Sequence, residues 1–215
     1  MATKKKDPQV NGESLTINIP RINVQTVRLE VVGISPLVVC NWSQKAMQMM
    51  LDKQMKKPNQ GRNAKNPEED YKASLYTSTE GWTGVPAHGV KAGLVNACRM
   101  VDGLPMTMAK RILYVPPQGY TDSNSGLVRI HGEHKMWENH TRLESGVADI
   151  RFRAMYEKWS ALFEIEFIQN QISAEQVANL VELCGRCEGW CEWRPGSPKS
   201  NSGTFGMFEV KRMPK

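Results

Sequence analysis

The sequence predicts an α+β chain: a ferredoxin-like core, that is, a split β-α-β arrangement on an antiparallel sheet, carrying insertions. Three observations predict it. Residues 160–168 (SALFEIEFI) alternate Ala161, Phe163, Ile165 and Phe167 with Ser160, Glu164 and Glu166, the period-two pattern of a half-buried strand. Ser173-Ala174-Glu175-Gln176 follows as a capping box. Behind it Val177, Leu180, Val181 and Cys184 form a buried helix face, with Gly185 as the stop. Residues 204–210 (TFGMFEV) read as the closing strand, and a strand followed by helical segments also opens the chain.

The elements run in this order. Residues 1–20, with Pro8, Asn11, Gly12 and Pro20, read as a flexible arm, and 21–215 as one elaborated domain. Residues 26–33 (TVRLEVVG) alternate as a strand, and Ser35-Pro36 turns the chain into Leu37, Val38 and Val39. Ser43 caps a helix to about residue 57, with Ala46, Met47, Met50, Leu51 and Gln54 on one face. That Met-rich stripe reads first as core packing and second as a partner-binding face. Residues 53–67 form a basic insertion with Lys56, Lys57, Arg62 and Lys65, and Pro67-Glu68-Glu69-Asp70 opens a short helix ending near Tyr76. Residues 81–89 are turn-rich and feed a helix over 90–100, in which Val90, Leu94, Ala97, Cys98 and Val101 keep helical spacing. Residues 111–115, 127–131 and 148–153 read as strands, with a loop over 116–126.

Charge and composition narrow the function classes. The 215 residues include 28 Lys plus Arg against 22 Asp plus Glu, a formal charge of +6 that suits a polyanionic partner and also plain solubility. No uncharged apolar run approaches bilayer length, and Lys4, Lys5 and Lys6 precede no apolar stretch, so no membrane association is expected and a cytoplasmic protein is. The five cysteines are expected as reduced thiols, and no cofactor is implied. There is no GxxxxGK[ST] loop for ATP-driven work and no acidic cluster of the kind a two-metal nuclease needs.

Three segments bring cations together with glycine or aromatic residues. Residues 189–206 (GWCEWRPGSPKSNSGTFG) hold Trp190, Trp193, Arg194, Lys199 and Gly203; glycine permits close backbone approach to phosphate, and tryptophans offer stacking platforms for unpaired bases. A flexible connection with its tryptophans in the core explains the same letters. Residues 85–94 place His88 and Gly89 ahead of a helix whose first turn holds Lys91, with Arg99 further along. Arg151 and Arg153 share one face of the strand over 148–153, opposite Ile150 and Phe152, and form a phosphate track or solvated charge.

Residues 87–99 with their lead-in (PAHGVKAGLVNACR) resemble the glycine-flanked loop and helix of the RAMP superfamily, RNA-binding proteins of CRISPR systems. GSPKSNSGTFGMFEV resembles the glycine-rich loop before that superfamily's last strand, and the chain as a whole is similar to a family of phage and prophage proteins. The resemblance implies a modified RRM-like ferredoxin core, and polymerisation along single-stranded RNA by contacts to its sugar-phosphate chain. It places Ala87, His88, Gly89 and Lys91 in the helix-opening loop and Gly203 and Gly206 in the glycine-rich loop.

The resulting expectation is a non-catalytic protein that binds single-stranded DNA or RNA as a homo-oligomer, filamentous if copies add along the strand, in phage replication or recombination. Its phosphate contacts would come from the cations named above. Two alternatives stay open: a metal-independent RAMP-type endoribonuclease using His88 as acid or base, with His131, His134 and His140 the other histidines, and a protein-binding or structural phage protein. A zinc site at Cys184, Cys187 and Cys191 lacks an identified fourth ligand.

Overall fold

Val27, Leu29 and Val31 recur at every second position of the first strand, β1 (Val24–Gly33), whose far end buries Val31. The computed structural model describes residues 19–42, 44–57, 65–142, 146–198 and 201–211, so residues 1–18 of the expected arm lie outside it, as do Ser43, Arg62 and Lys199. After β1 come β2 (Leu37–Val39), α1 (Gln44–Gln54), α2 (Pro67–Ala73), β3 (Tyr76–Thr77) and β4 (Thr83–Pro86). The middle holds α3 (Ala87–Ala97), a 3-10 turn (Cys98–Met100), α4 (Met106–Ile112), β5 (Leu113–Tyr114), β6 (Gly119–Tyr120) and β7 (Gly126–Arg129). The last part is β8 (His134–Arg142), β9 (Ala148–Tyr156), β10 (Ser160–Ile168), α5 (Ala174–Cys187) and β11 (Phe208–Val210).

Among the described residues this is a mixed α and β chain with three antiparallel sheets, ordered β11-β1-β10-β5, β2-β9-β8 and β3-β4-β7-β6. Val24 pairs with Ile168 and the register runs on to Val32 opposite Ser160, so β1 and β10 form the longest ladder of the first sheet. α5 packs against β1 and β11, and α3 packs against α5. Ala161, Phe163, Ile165 and Phe167 point into that core, as their alternation predicts. An aromatic cluster fills the centre: the Trp190 ring lies 4.5 Å from Phe208, 5.5 Å from Trp159 and 5.6 Å from Phe163.

The structure corrects several sequence expectations. The Met-rich face of α1 is not core: Met47, Met50 and Leu51 are 46%, 40% and 48% exposed, and among the described residues no element packs extensively on the helix. The turn-rich stretch over 81–89 contains β4, and α3 begins at Ala87, so His88 and Gly89 lie in its first turn and not in a loop before it. Residues 111–115 are mostly not strand. Pro105, with its φ of −64°, starts α4, whose Ala109 and Ile112 are buried, and only Leu113 and Tyr114 pair with β10. β8 escapes the sequence pattern because, among the described residues, it pairs with β9 alone and buries none of its side chains fully, and its sequence, HKMWENHTR, sets polar residues on both faces.

Gly185 does not stop α5. The helix continues to Cys187, and Gly189, at φ +66°, ends it with its N–H donating to the Cys184 carbonyl at 2.9 Å. Gly185 instead lets β11 pass: a Cβ there would stand 2.1 Å from the Phe208 carbonyl oxygen. The capping box is present as read, with Ser173 Oγ accepting from the Gln176 N–H at 3.2 Å.

Candidate nucleic-acid interface

Four separate stretches of chain converge on one open cleft of about 680 Å³. Cys40, Asn41 and Trp42 leave β2 along one side, Asp70, Ala73 and Tyr76 come from α2 and β3, Arg151 and Arg153 from β9, and Cys191, Glu192 and Arg194 from the loop after α5. Main-chain polar groups tie these stretches together. The Asn41 N–H donates to the Ser74 carbonyl at 2.8 Å and the Glu192 N–H to the Val38 carbonyl at 3.0 Å. The Tyr76 hydroxyl donates to the Cys40 carbonyl at 2.9 Å, and buried Ser74 Oγ accepts from the Ala154 N–H at 2.8 Å.

Arg151 and Arg153 share a face of β9 as predicted, but it is the inward face. Ile150, expected on the apolar side, is 38% exposed, while the two arginines turn toward the cleft. Each is held by an acid. Arg151 Nε lies 3.4 Å from Asp149 Oδ2, and Arg153 Nε lies 3.4 Å from Glu192 Oε2. Lys65 from the basic insertion also donates to Asp149 and to the Ile150 carbonyl. The Lys65 hydrogen bond, aided by Arg151, holds the Asp149 carboxyl below the usual range for an aspartate. Burial, reinforced by Glu192, pushes the Cys40 thiol up to about 12, and burial does the same to Cys191.

The loop that carries Arg194 is fixed by its glycines. A Cβ on Gly203 would stand 2.3 Å from the Arg194 carbonyl oxygen, and one on Gly206, at φ +66°, 2.0 Å from the Trp190 carbonyl oxygen. These two glycines permit one loop strand to lie against another, and the Trp190 N–H donates to the Gly206 carbonyl at 2.9 Å. Arg194 Nη1 donates to the Cys191 carbonyl at 2.8 Å. Trp190 is a core residue, not a stacking platform. Trp193 packs edge-on against Trp137 with ring centres 5.0 Å apart.

A second, smaller cleft of about 220 Å³ adjoins the first, and Tyr76, Cys191 and Arg194 line both. His88 lies in this smaller cleft, which Arg194 also lines; Lys91 lines neither cleft. Lys56, Lys57 and Arg99 also stand elsewhere: Lys57 pairs with Asp52 at 2.8 Å, and Arg99 Nε donates to Met106 Sδ at 3.4 Å. The other histidines are engaged or remote. His134 Nδ1 is 2.7 Å from the Tyr71 hydroxyl, His131 bridges to Ser160, and His140 lies 3.5 Å from Glu138. Cys184 is buried in the core, and among the described residues no three His, Cys, Asp or Glu side chains come together as a metal site.

Of the expected site residues, the fold therefore gathers Arg151, Arg153, Arg194 and His88. Sequence reading missed Trp42, Tyr76, Glu192 and Asn96, which line the same two clefts. Trp42 had one visible signal, a large aromatic between Asn41 and Ser43 directly after an apolar run, and it is 60% exposed. No family model and no curated protein matches the chain. Among solved structures, the crystal structure of Cmr6 from Pyrococcus furiosus is similar, with a TM-score of 0.40 and 9% identity, covering 89% of this chain and 100% of that one.

Proposed function

We propose that the chain binds single-stranded nucleic acid without cleaving it, through the arginine-lined cleft. One observation carries the reading: Arg151, Arg153 and Arg194, from distant parts of the sequence, meet in a single open cleft that also holds Trp42 and Tyr76. Guanidinium groups suit phosphate because their fork of donors matches its oxygens. Aromatic faces beside them suit unpaired bases, which a duplex keeps stacked away.

The same proposal extends to the architecture. The order β11-β1-β10-β5, with α3 in the crossover before β5 and α5 in the one before β11, supports a ferredoxin-like core of RAMP type over residues 21–215. The glycine motifs that resemble RAMP and phage proteins support side-by-side binding of copies along a strand, in phage replication or recombination in the host cytoplasm. A second reading, protein docking, is favoured by the exposed Met face of α1.

The test is a titration with matched single-stranded DNA, single-stranded RNA and duplex at two salt concentrations, with particle size followed. Tight, salt-sensitive binding to one single strand, with growth in size, is the expected result, and it names the substrate. Absence of binding at low salt overturns the proposal. Cut RNA that accumulates in EDTA and disappears in His88→Ala replaces binding with cleavage.

A further inference from the structure

The smaller cleft has a chemistry of its own. Gly89, Ala92, Gly93 and Asn96 line it at the i, i+3, i+4, i+7 spacing that sets residues on one face of α3. Gly89 and Ala92 leave the space open, Gly93 lies close against α5, where a Cβ would stand 3.0 Å from Cys184 Sγ, and an amide stands at the end of the row. A Cβ on Gly89 would find nothing nearer than 3.8 Å, so the opening there is not filled by packing.

A second feature lies beside the same space. Trp190 is 3% exposed, and its indole Nε1 is a buried donor with no hydrogen-bond partner among the described residues. Its pyrrole edge faces α3: Cδ1, bonded to that nitrogen, lies 3.9 Å from where a Gly93 Cβ would stand. An unmet buried donor costs free energy, and this one belongs to a residue that lines the cleft.

We infer that the smaller cleft is a subsite for one unstacked nucleobase, held beside the phosphate that Arg194 neutralises; this rests on the nucleic-acid reading above. Size agrees, because about 220 Å³ is below the range of roughly 300–1,000 Å³ that takes drug-sized ligands, and suits a single planar heterocycle. The chemistry agrees too. An amide offers both donor and acceptor to a base edge, Val90 and Pro86 supply an apolar wall, and His88 stands exposed in the first turn. Position also agrees, since Arg194 and Tyr76 line both clefts, so a base and its own phosphate can occupy the two at once.

The experiment compares homopolymeric single strands of about 12 nucleotides, within the span one small binding fold covers, with strands of equal length and charge whose sugars carry no bases. Wild type is expected to bind at least one base-bearing strand on the order of five- to hundred-fold more tightly than the abasic strand. Asn96→Ala, and Ala92→Leu, which fills the cleft from an exposed helix position, are expected to lower that ratio about fivefold or more, the remainder being stacking on Trp42 and Tyr76, and to leave abasic binding and its salt slope unchanged. A ratio unchanged by both variants overturns the subsite and leaves the arginine cleft standing, and equal affinity of wild type for both strands overturns the subsite together with stacking on Trp42 and Tyr76. If neither strand binds, the nucleic-acid reading itself falls with it.

Discussion

Glu192→Gln is predicted to strengthen nucleic-acid binding while slightly weakening the fold. In the free protein the Glu192 carboxylate stands 3.4 Å from Arg153 Nε, with the two side chains 26% and 21% exposed. It therefore occupies a place that a phosphate oxygen would take, and repels that phosphate. A carboxylate and a phosphate about 6 Å apart repel by roughly 0.7 to 3 kcal/mol between aqueous and near-surface dielectric values, and salt lowers this to about 1 kcal/mol. The neutral amide should thus tighten binding about fivefold. It should also steepen the dependence of log affinity on log salt by up to about 0.7, the share of one phosphate on a single strand. The lost ion pair is part exposed and should cost under about 1 kcal/mol of stability. Fluorescence anisotropy across a salt series and urea unfolding measure the two effects. Unchanged or weaker binding by a variant that remains folded would refute the assignment of Arg153 to phosphate. In an Arg153→Ala background, any gain that persists is the direct repulsion alone.

Further outcomes follow from other contacts. Arg151→Ala and Arg153→Ala should each weaken binding to all sequences alike and flatten the salt slope by about 0.7, so an unaltered slope rules out the track. Gly185→Ala gains about 1 kcal/mol of helix propensity but drives a Cβ to 2.1 Å from the Phe208 carbonyl oxygen, a backbone clash that no rotamer relieves. Overpacking of about 1–3 kcal/mol should exceed the gain, and urea unfolding that shows a more stable protein would contradict it. Asp149 has a depressed folded-state pKa, so its contribution to stability is present above the ordinary aspartate value near 4 and lost as pH falls through the lower folded value. Asp149→Asn should accordingly be less stable at neutral pH and lose less as pH falls below about 4 in acid-unfolding curves.

The parts of this fold that were legible in the sequence are those where one element alone determines its pattern. β10 buries one side against the core, so its alternation is strict, and α5 carries both its cap and its apolar face in consecutive residues. Where several elements decide, the letters mislead. Among the described residues β8 is paired on one edge and presents polar groups on both faces, while α1 has an apolar stripe that stays exposed. The arginines were recognisable by type, but not the face they occupy, since Ile150 is the exposed neighbour. Glu192 and Asn96 carried no signal of their own, because the clefts they line form only where distant segments of the chain meet. Glycine was read as close approach, correctly in physics, but the approaching partner of Gly203 and Gly206 is the chain itself.

The three cleft arginines are not equivalent. Arg151 and Arg153 are partnered by carboxylates, so binding a phosphate means exchanging one anion for another, and part of the Coulomb gain is spent in leaving the first. Arg194 is held through Nη1 by the neutral Cys191 carbonyl at 2.8 Å, which orients the side chain, and the Glu188 carboxylate acts on its charge without forming an ion pair with it. Its backbone is fixed as well: the Ser197 N–H donates to the Arg194 carbonyl at 3.1 Å, and Gly203 packs beside it. A charge already ordered loses less conformational freedom when it binds. Arg194 also borders both clefts, where a phosphate and its base would meet. Arg194→Ala should therefore weaken single-strand binding more than Arg151→Ala, by a further factor of about three to ten, one charge-assisted hydrogen bond's worth without anion exchange. Equal losses from the two variants, each shown folded by its urea midpoint, would mean that the acids beside Arg151 and Arg153 do not compete with the ligand.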